Sequence, residues 1–319
     1  MRKNLHLILA LMMLLVASCT HKELCVSHPH TLIADVTFDW SNAPDASPES
    51  MSLYLFPVGQ EKSLRYEFGS LEGGKIKINP GEYKAIFLNS DTRNIILENK
   101  DSFEEFLIKS EDATLHANPA YLSASSSNPP RARGTQDERV AASPECIWAG
   151  SAGTFVFDEN NNTLHLEPMP AFISFNVDIN NIENAEYAYA ITGALSTLAD
   201  GFLPGSGVLS DDLATVPFAL NVKTKSQSAQ GSFRSFGHCP RENMTHYLTI
   251  YTTLIDGTNT SFTYDVTDQI HNADNANNIT ITLNTLPLPE PEFPEGGEGG
   301  GGFVPSIKDW NTVEINISM

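Results

Sequence analysis

The chain has 319 residues, 41% of them apolar, and a formal charge of −20. That length allows about two domains, and the apolar share is enough for real cores. So acidic a chain is excluded from nucleic-acid binding, because the phosphates would repel it. Its acids are scattered rather than gathered in runs, which fits solubility better than a binding patch.

Residues 1–18 read as an export signal. Arg2 and Lys3 precede an apolar run at residues 7–16, and Ala17 and Ser18 close it. A membrane-spanning helix needs about 20 apolar residues, so the run is a cleaved leader rather than a span. Cys19 follows at once. In bacterial lipoprotein processing such a thiol takes a diacylglycerol, the leader is cut before it, and the new amine is acylated. Each buried methylene adds about 0.8 kcal/mol, so several acyl chains make a lasting anchor. Cys19 is therefore the expected lipidation site, and the membrane is an expected partner through that lipid. The alternative is an ordinary leader with a chance cysteine.

Cys25, Cys146 and Cys239 remain, an odd number with no CxxC pair. An oxidising compartment permits one disulfide, Cys146–Cys239 among the options, but the sequence does not fix connectivity. Without paired ligand spacing, neither a metal site nor a cofactor is expected. His28-Pro29-His30 with His21 reads as an extended tether over residues 19–31, since Pro29 holds His28 away from helix.

The first domain is expected over residues 32–166. Leu32, Ala34, Val36, Phe38 and Trp40 alternate with Ile33, Asp35, Thr37 and Asp39, the period of a strand with one buried face. Residues 41–50 read as a polar loop. Residues 53–56 form an apolar strand stopped at Pro57, and Leu64, Tyr66 and Phe68 alternate after it. Residues 75–78 and 83–88 flank a tight turn at Asn79-Pro80-Gly81. Ser102 and Glu105 have capping-box spacing, with Phe103, Phe106 and Leu107 on one face, which predicts a short helix. Residues 123–144, with Arg131, Arg133 and Arg139, read as an exposed basic loop open to proteases, with a dedicated arginine cleavage site as the less favoured reading. Strands at 154–157 and 163–166 are joined by a turn at 158–162.

The second domain is expected over residues 167–319, with Pro168 and Pro170 as boundary punctuation. Ile173, Phe175, Val177 and Ile179 alternate, and Tyr187, Tyr189 and Ile191 follow. Residues 198–211 read as a loop, 217–222 and 232–236 as strands. Residues 247–254 and 262–266 read as a hairpin around Asp256-Gly257, and Ile279, Ile281 and Leu283 end the series. Residues 286–302, prolines and acids and then glycines, read as a linker. Residues 303–319 follow, where Val313, Ile315 and Ile317 alternate after Trp310. A strand on such a leash invites pairing with a sheet edge, at home or on another subunit, so Trp310, Val313, Ile315 and Ile317 are the candidate subunit-contact residues.

Catalytic signatures are missing: there is no GxSxG elbow, P-loop, HExxH or GxGxxG. Glu104-Glu105 and Asp211-Asp212 are adjacent and diverge on any regular element. No catalytic residue is assigned, and the chain reads as a non-enzyme.

These pieces resemble a known family, the fimbrial anchor and minor-subunit lipoproteins of Bacteroidales. The likeness is carried by Cys19 with Lys22-Glu23-Leu24-Cys25 and His28-Pro29-His30, then Val36, Phe38 and Trp40. The Pro80-Gly81 turn before Tyr83, Asn89-Ser90-Asp91-Thr92, and the late glycines with Trp310, Val313 and Ile315 complete it. The resemblance implies an all-β chain of two tandem transthyretin-like β-sandwich domains, without catalysis, at the outer membrane. It implies fimbrial shaft subunits as partners, joined by strand addition. The alternative is a surface module binding glycans or host protein through loops 41–50 and 198–211.

Overall fold

The structure, a computed structural model, describes residues 31–115, 128–241, 243–291 and 310–315. The expected leader, Cys19, the tether with Cys25, and Ile317 lie outside the described residues. No helix among those described is long and apolar enough to cross a membrane.

Eleven strands form the first body with its flanks: β1 (Leu32–Phe38), β2 (Met51–Pro57), β3 (Leu64–Phe68), β4 (Gly73–Ile78), β5 (Gly81–Asn89), β6 (Ile95–Glu98), β7 (Leu107–Ser110), β8 (Arg139–Val140), β9 (Trp148–Phe157), β10 (Thr163–Leu166) and β11 (Met169–Pro170). A three-stranded sheet, β10-β1-β4, faces a five-stranded one, β11-β9-β5-β2-β3. Alternation along β1 buries Ala34, Val36 and Phe38, which meet Leu53, Leu55, Phe87, Phe157 and Leu166 in the core between the sheets. The turn at residues 79–81 does not close a hairpin. Its strands lie in opposite sheets, β4 beside β1 and β5 beside β2 and β9. The Tyr83 hydroxyl reaches back to the Asn79 carbonyl at 2.9 Å and holds this crossover. The turn at 158–162 crosses in the same way, from β9 to β10.

The second body contains β12 (Ile173–Ile179), β13 (Ile182–Glu183), β14 (Ala188–Ala199), β15 (Gly201–Leu203), β16 (Val208–Leu209), β17 (Leu213–Ala219), β18 (Asn221–Lys223), β19 (Ser228–Ser235), β20 (Tyr247–Leu254), β21 (Asn259–Asp265), β22 (Asn278–Leu283), β23 (Leu286–Pro287) and β24 (Trp310–Ile315). A four-stranded sheet, β18-β19-β12-β22, packs on a six-stranded one, β24-β21-β20-β14-β17-β8. Phe175, Val177, Leu195, Phe218, Ile250, Phe262 and Ile281 fill the space between. β20 and β21 form the antiparallel hairpin expected around Asp256-Gly257. The fold is thus all-β and sandwich-built.

A third sheet fastens one body to the other. β6 and β7 from the first half join β15 and β16 from the second in the order β16-β15-β7-β6. This sheet covers the outer face of β2 and β5, where Tyr54, Phe56, Ile86 and Leu88 pack with Phe106, Ile108 and Phe236. Every residue of β2 is consequently buried, where a strand facing water would alternate.

This sheet overturns two expectations. The first is the helix at 102–107. Glu105 N–H does donate to Ser102 Oγ at 3.3 Å, but the chain only turns there before entering β7. Nucleating a helix fixes about six dihedrals for one hydrogen bond. Phe106 and Ile108, two residues apart, are both fully buried when the segment is extended. The second is the loop at 198–211, which instead carries the end of β14 and all of β15 and β16.

Two further segments are more ordered than their composition suggested. Over residues 128–142 the chain is bound to the second body. β8 runs parallel to β17. Arg139 donates to Asp200 at 2.7 Å and to Asp112 at 2.8 Å, and Arg131 donates to Thr215 Oγ1 at 3.0 Å. Of the three arginines read as an exposed loop, Arg133 alone is exposed. The expected linker begins later than residue 286, because β23 pairs with β13 and buries Leu286 and Leu288.

Candidate functional site

The terminal strand lies at a sheet edge. β24 runs parallel to β21 with Trp310 opposite Asn259, Val313 opposite Phe262 and Ile315 opposite Tyr264. Its hold on the body is shallow. Trp310 is half-buried, its ring edge-on to Tyr251 at a centroid distance of 5.5 Å. Its Nε1 is buried without an acceptor. Ile315 is half-buried against the main core, and Val313 is 39% exposed. Two half-buried side chains supply about 2–3 kcal/mol, whereas ordering six residues costs about 6–12 kcal/mol. The balance rests on backbone hydrogen bonds of about 1 kcal/mol each, in a parallel ladder, the slightly weaker kind. The strand is held at the edge mainly by its backbone.

Among the described residues, the first body has an uncovered edge. β11 pairs with β9 only at Trp148 and Ala149. From Gly150 to Phe157 no other described strand covers that side of β9. A groove of about 590 Å³ opens along it, lined among others by Gly150, Ala152, Leu166, Met169, Ala171 and Phe202. Met169 is 56% exposed and Val156 49%, so the edge offers both unpaired backbone and apolar surface to an added strand. At Gly150 a Cβ would stand 2.6 Å from the Phe87 ring, so the sheet tolerates no side chain there.

A second constellation sits at one end of the second sandwich. His238 and Cys239 occupy the loop after β19, His246 immediately precedes β20, and His271 ends a five-residue helix, Thr267–His271, after β21. Hairpin pairing places them together. Val266 N–H donates to the His246 carbonyl at 3.0 Å, His246 N–H donates to Thr267 Oγ1 at 2.9 Å, and the helix carries His271 back over the loop. Gln269 holds that helix to β22 through both backbone groups of Thr282. Cys239 Sγ is 2.9 Å from His238 Nδ1, 3.1 Å from His271 Nε2 and 3.7 Å from His246 Nε2. Burial, then the charge of His238, pushes His246 down to about 4. The Ser196 backbone pulls the other way but stands outside hydrogen-bonding geometry with the buried Nδ1. Burial also lowers His238 and raises the Cys239 thiol. His238 and His246 are therefore mainly neutral at pH 7.

The structure corrects one option from the sequence: Cys146 and Cys239 are both free, so they form no disulfide. It brings Trp310 and Ile315 to the sheet edge, with Val313 on the same side of the strand as Ile315 but 39% exposed. Sequence spacing gave no metal-ligand set, and the histidine–cysteine cluster was missed. A signal was there, since the hairpin register alone sets His246 opposite Val266, one short helix before His271.

Known proteins resemble the chain over its length. It is 22% identical to a Bacteroides ovatus protein described as "Putative fimbrium anchoring subunit Fim4B", over 98% of this chain and 97% of that one. Among solved structures, a "putative adhesin" of Bacteroides ovatus superposes with a TM-score of 0.64 at 18% identity, covering 87% of this chain and 99% of that one. One described as "putative polysaccharide binding proteins", from Bacteroides thetaiotaomicron, gives a TM-score of 0.50 at 10% identity, with 79% and 90% covered. These two establish a shared fold. The fimbrial-type resemblance read from the sequence is matched by such relatives, none of them described as an enzyme. Residues 18–219, more than half of the chain, match the model described as "Domain of unknown function (DUF5119)", and the protein belongs to that family.

Proposed function

We propose that the protein is an accessory or anchoring subunit of a fimbria, held at the outer membrane by lipid on Cys19 and joined to shaft subunits by β-strand addition. The observation that carries this reading is β24, a strand reached through a proline- and glycine-rich leash and attached by little besides its backbone. The bare edge of β9 supplies the complementary half, a place where a neighbour's strand can add. The full-length likeness to a relative named as a fimbrium anchoring subunit supports the same role. Backbone pairing gives affinity in such joints, and alternate side chains filling a groove give register.

Fractionation of cells carrying the native chain or Cys19→Ala tests the anchor. The native chain is expected in the outer membrane, labelled by fatty acid, with shaft protein recovered beside it. Cys19→Ala is expected to lose the label and release both. A native chain found soluble with an unmodified Cys19 overturns the reading.

A further inference from the structure

We propose that His238, Cys239, His246 and His271 form a four-ligand zinc site that locks one end of the second sandwich. Each residue offers one ligand atom, and all four atoms lie within 4.8 Å of one another. Zinc takes four ligands in a tetrahedron, with Zn–S about 2.3 Å and Zn–N about 2.0–2.1 Å, which spaces sulfur from nitrogen by about 3.5 Å. The three S–N distances of 2.9, 3.1 and 3.7 Å straddle that value, and side-chain rotation that draws the nitrogens in to about 3.3 Å of one another completes the shell. The donor set, one thiolate with three imidazoles, suits zinc over magnesium or calcium, which require oxygen.

The scaffold is as specific as the ligands. Three separate segments converge, and two of them are pinned by hydrogen bonds that do not involve the ligand atoms: His246 by Thr267 and Val266, and the helix of His271 by Gln269. His246 is fully buried at the base of the cluster, while Cys239 and His271 are exposed and leave a path for the ion. Nothing in these contacts depends on the fimbrial reading. If both hold, the ion fixes the hairpin on which β24 lies, because β24 ends beside Tyr264 and the helix begins at Thr267.

The test is cobalt titration of the full chain after chelation, with zinc content measured on the untreated protein. The expected result is one zinc per chain, and with cobalt a thiolate-to-metal charge-transfer band with intense tetrahedral d–d bands. Cys239→Ser is expected to abolish the charge-transfer band, and His271→Asn to lose the intense d–d bands. Both positions are exposed, so both variants are expected to fold, with a native circular dichroism spectrum as the check. Zinc is expected to raise the melting temperature of the native chain and not of Cys239→Ser. A folded native chain with no cobalt spectrum overturns the proposal, as does cobalt binding without the thiolate band.

Discussion

The two sandwiches finish their sheets differently. In the second, the outer edge of β21 is covered by the chain's own last strand. In the first, no other described strand pairs with β9 beyond Ala149, and that side opens onto a groove. An uncovered edge invites uncontrolled pairing, and an over-secured one joins nothing. Under the proposed role, a loosely held donor and an open acceptor on the two bodies of one chain would make a head-to-tail contact, the geometry that extends into a filament. The same contrast appears in depth of burial. β2 is buried along its whole length by two layers, while in β24 only Trp310 and Ile315 are half-buried.

That contrast breaks first where the bodies are fastened. Phe106→Ala removes a fully buried ring from the bridging cluster and is expected to cost about 3–5 kcal/mol. Urea denaturation reads this, and a loss below about 1 kcal/mol shows that the bridging sheet does not fasten the two bodies. Next is Arg139→Ala, which strands the Asp200 side chain, 9% exposed, without its cation. Arg139 itself keeps 22% exposure, so the expected loss is about 2 kcal/mol, below the value for a fully buried pair. Arg139→Ala with Asp200→Asn is expected to recover part of it.

The edge strand gives smaller effects on stability and larger ones on assembly. Trp310→Ala is expected to cost about 1–2 kcal/mol, less than a full core truncation because the ring is half-buried. Hydrogen exchange at β21 amides should rise, while β12 and β14 stay protected. An increase spread over the whole second body contradicts a shallow attachment. Val313→Asp puts a charge beside Ile315 at a 39% exposed position and is expected to cost up to about 1 kcal/mol. It should nevertheless weaken pairing with another subunit, where that face enters a groove. Equal binding by Val313→Asp and the native chain removes Val313 from the joint.

Much of this fold was legible from the alternation of side chains. Val36, Phe38, Val177 and Ile281 face inward as their period requires, and the β20–β21 hairpin follows its Asp-Gly turn. What escaped was tertiary. Asn79-Pro80-Gly81 reads as a tight turn between neighbouring strands, yet those strands enter opposite sheets, a choice made by partners distant in sequence. The capping pair Ser102 and Glu105 forms its hydrogen bond, but burial of Phe106 and Ile108 where the chain extends into β7 outweighs a short helix. Residues 128–142 look like polar loop until Asp200 and Thr215 claim the arginines. The histidine–cysteine cluster depends on the register of one hairpin, so its members look unrelated in linear order.

The central claim is that the last strand joins this protein to its neighbours. The direct measurement is the recovery of shaft protein with membranes from cells whose chain lacks residues 303–319. The account predicts that shaft recovery falls to background while the truncated protein stays folded and membrane-bound. Undiminished recovery with that folded, truncated protein contradicts it.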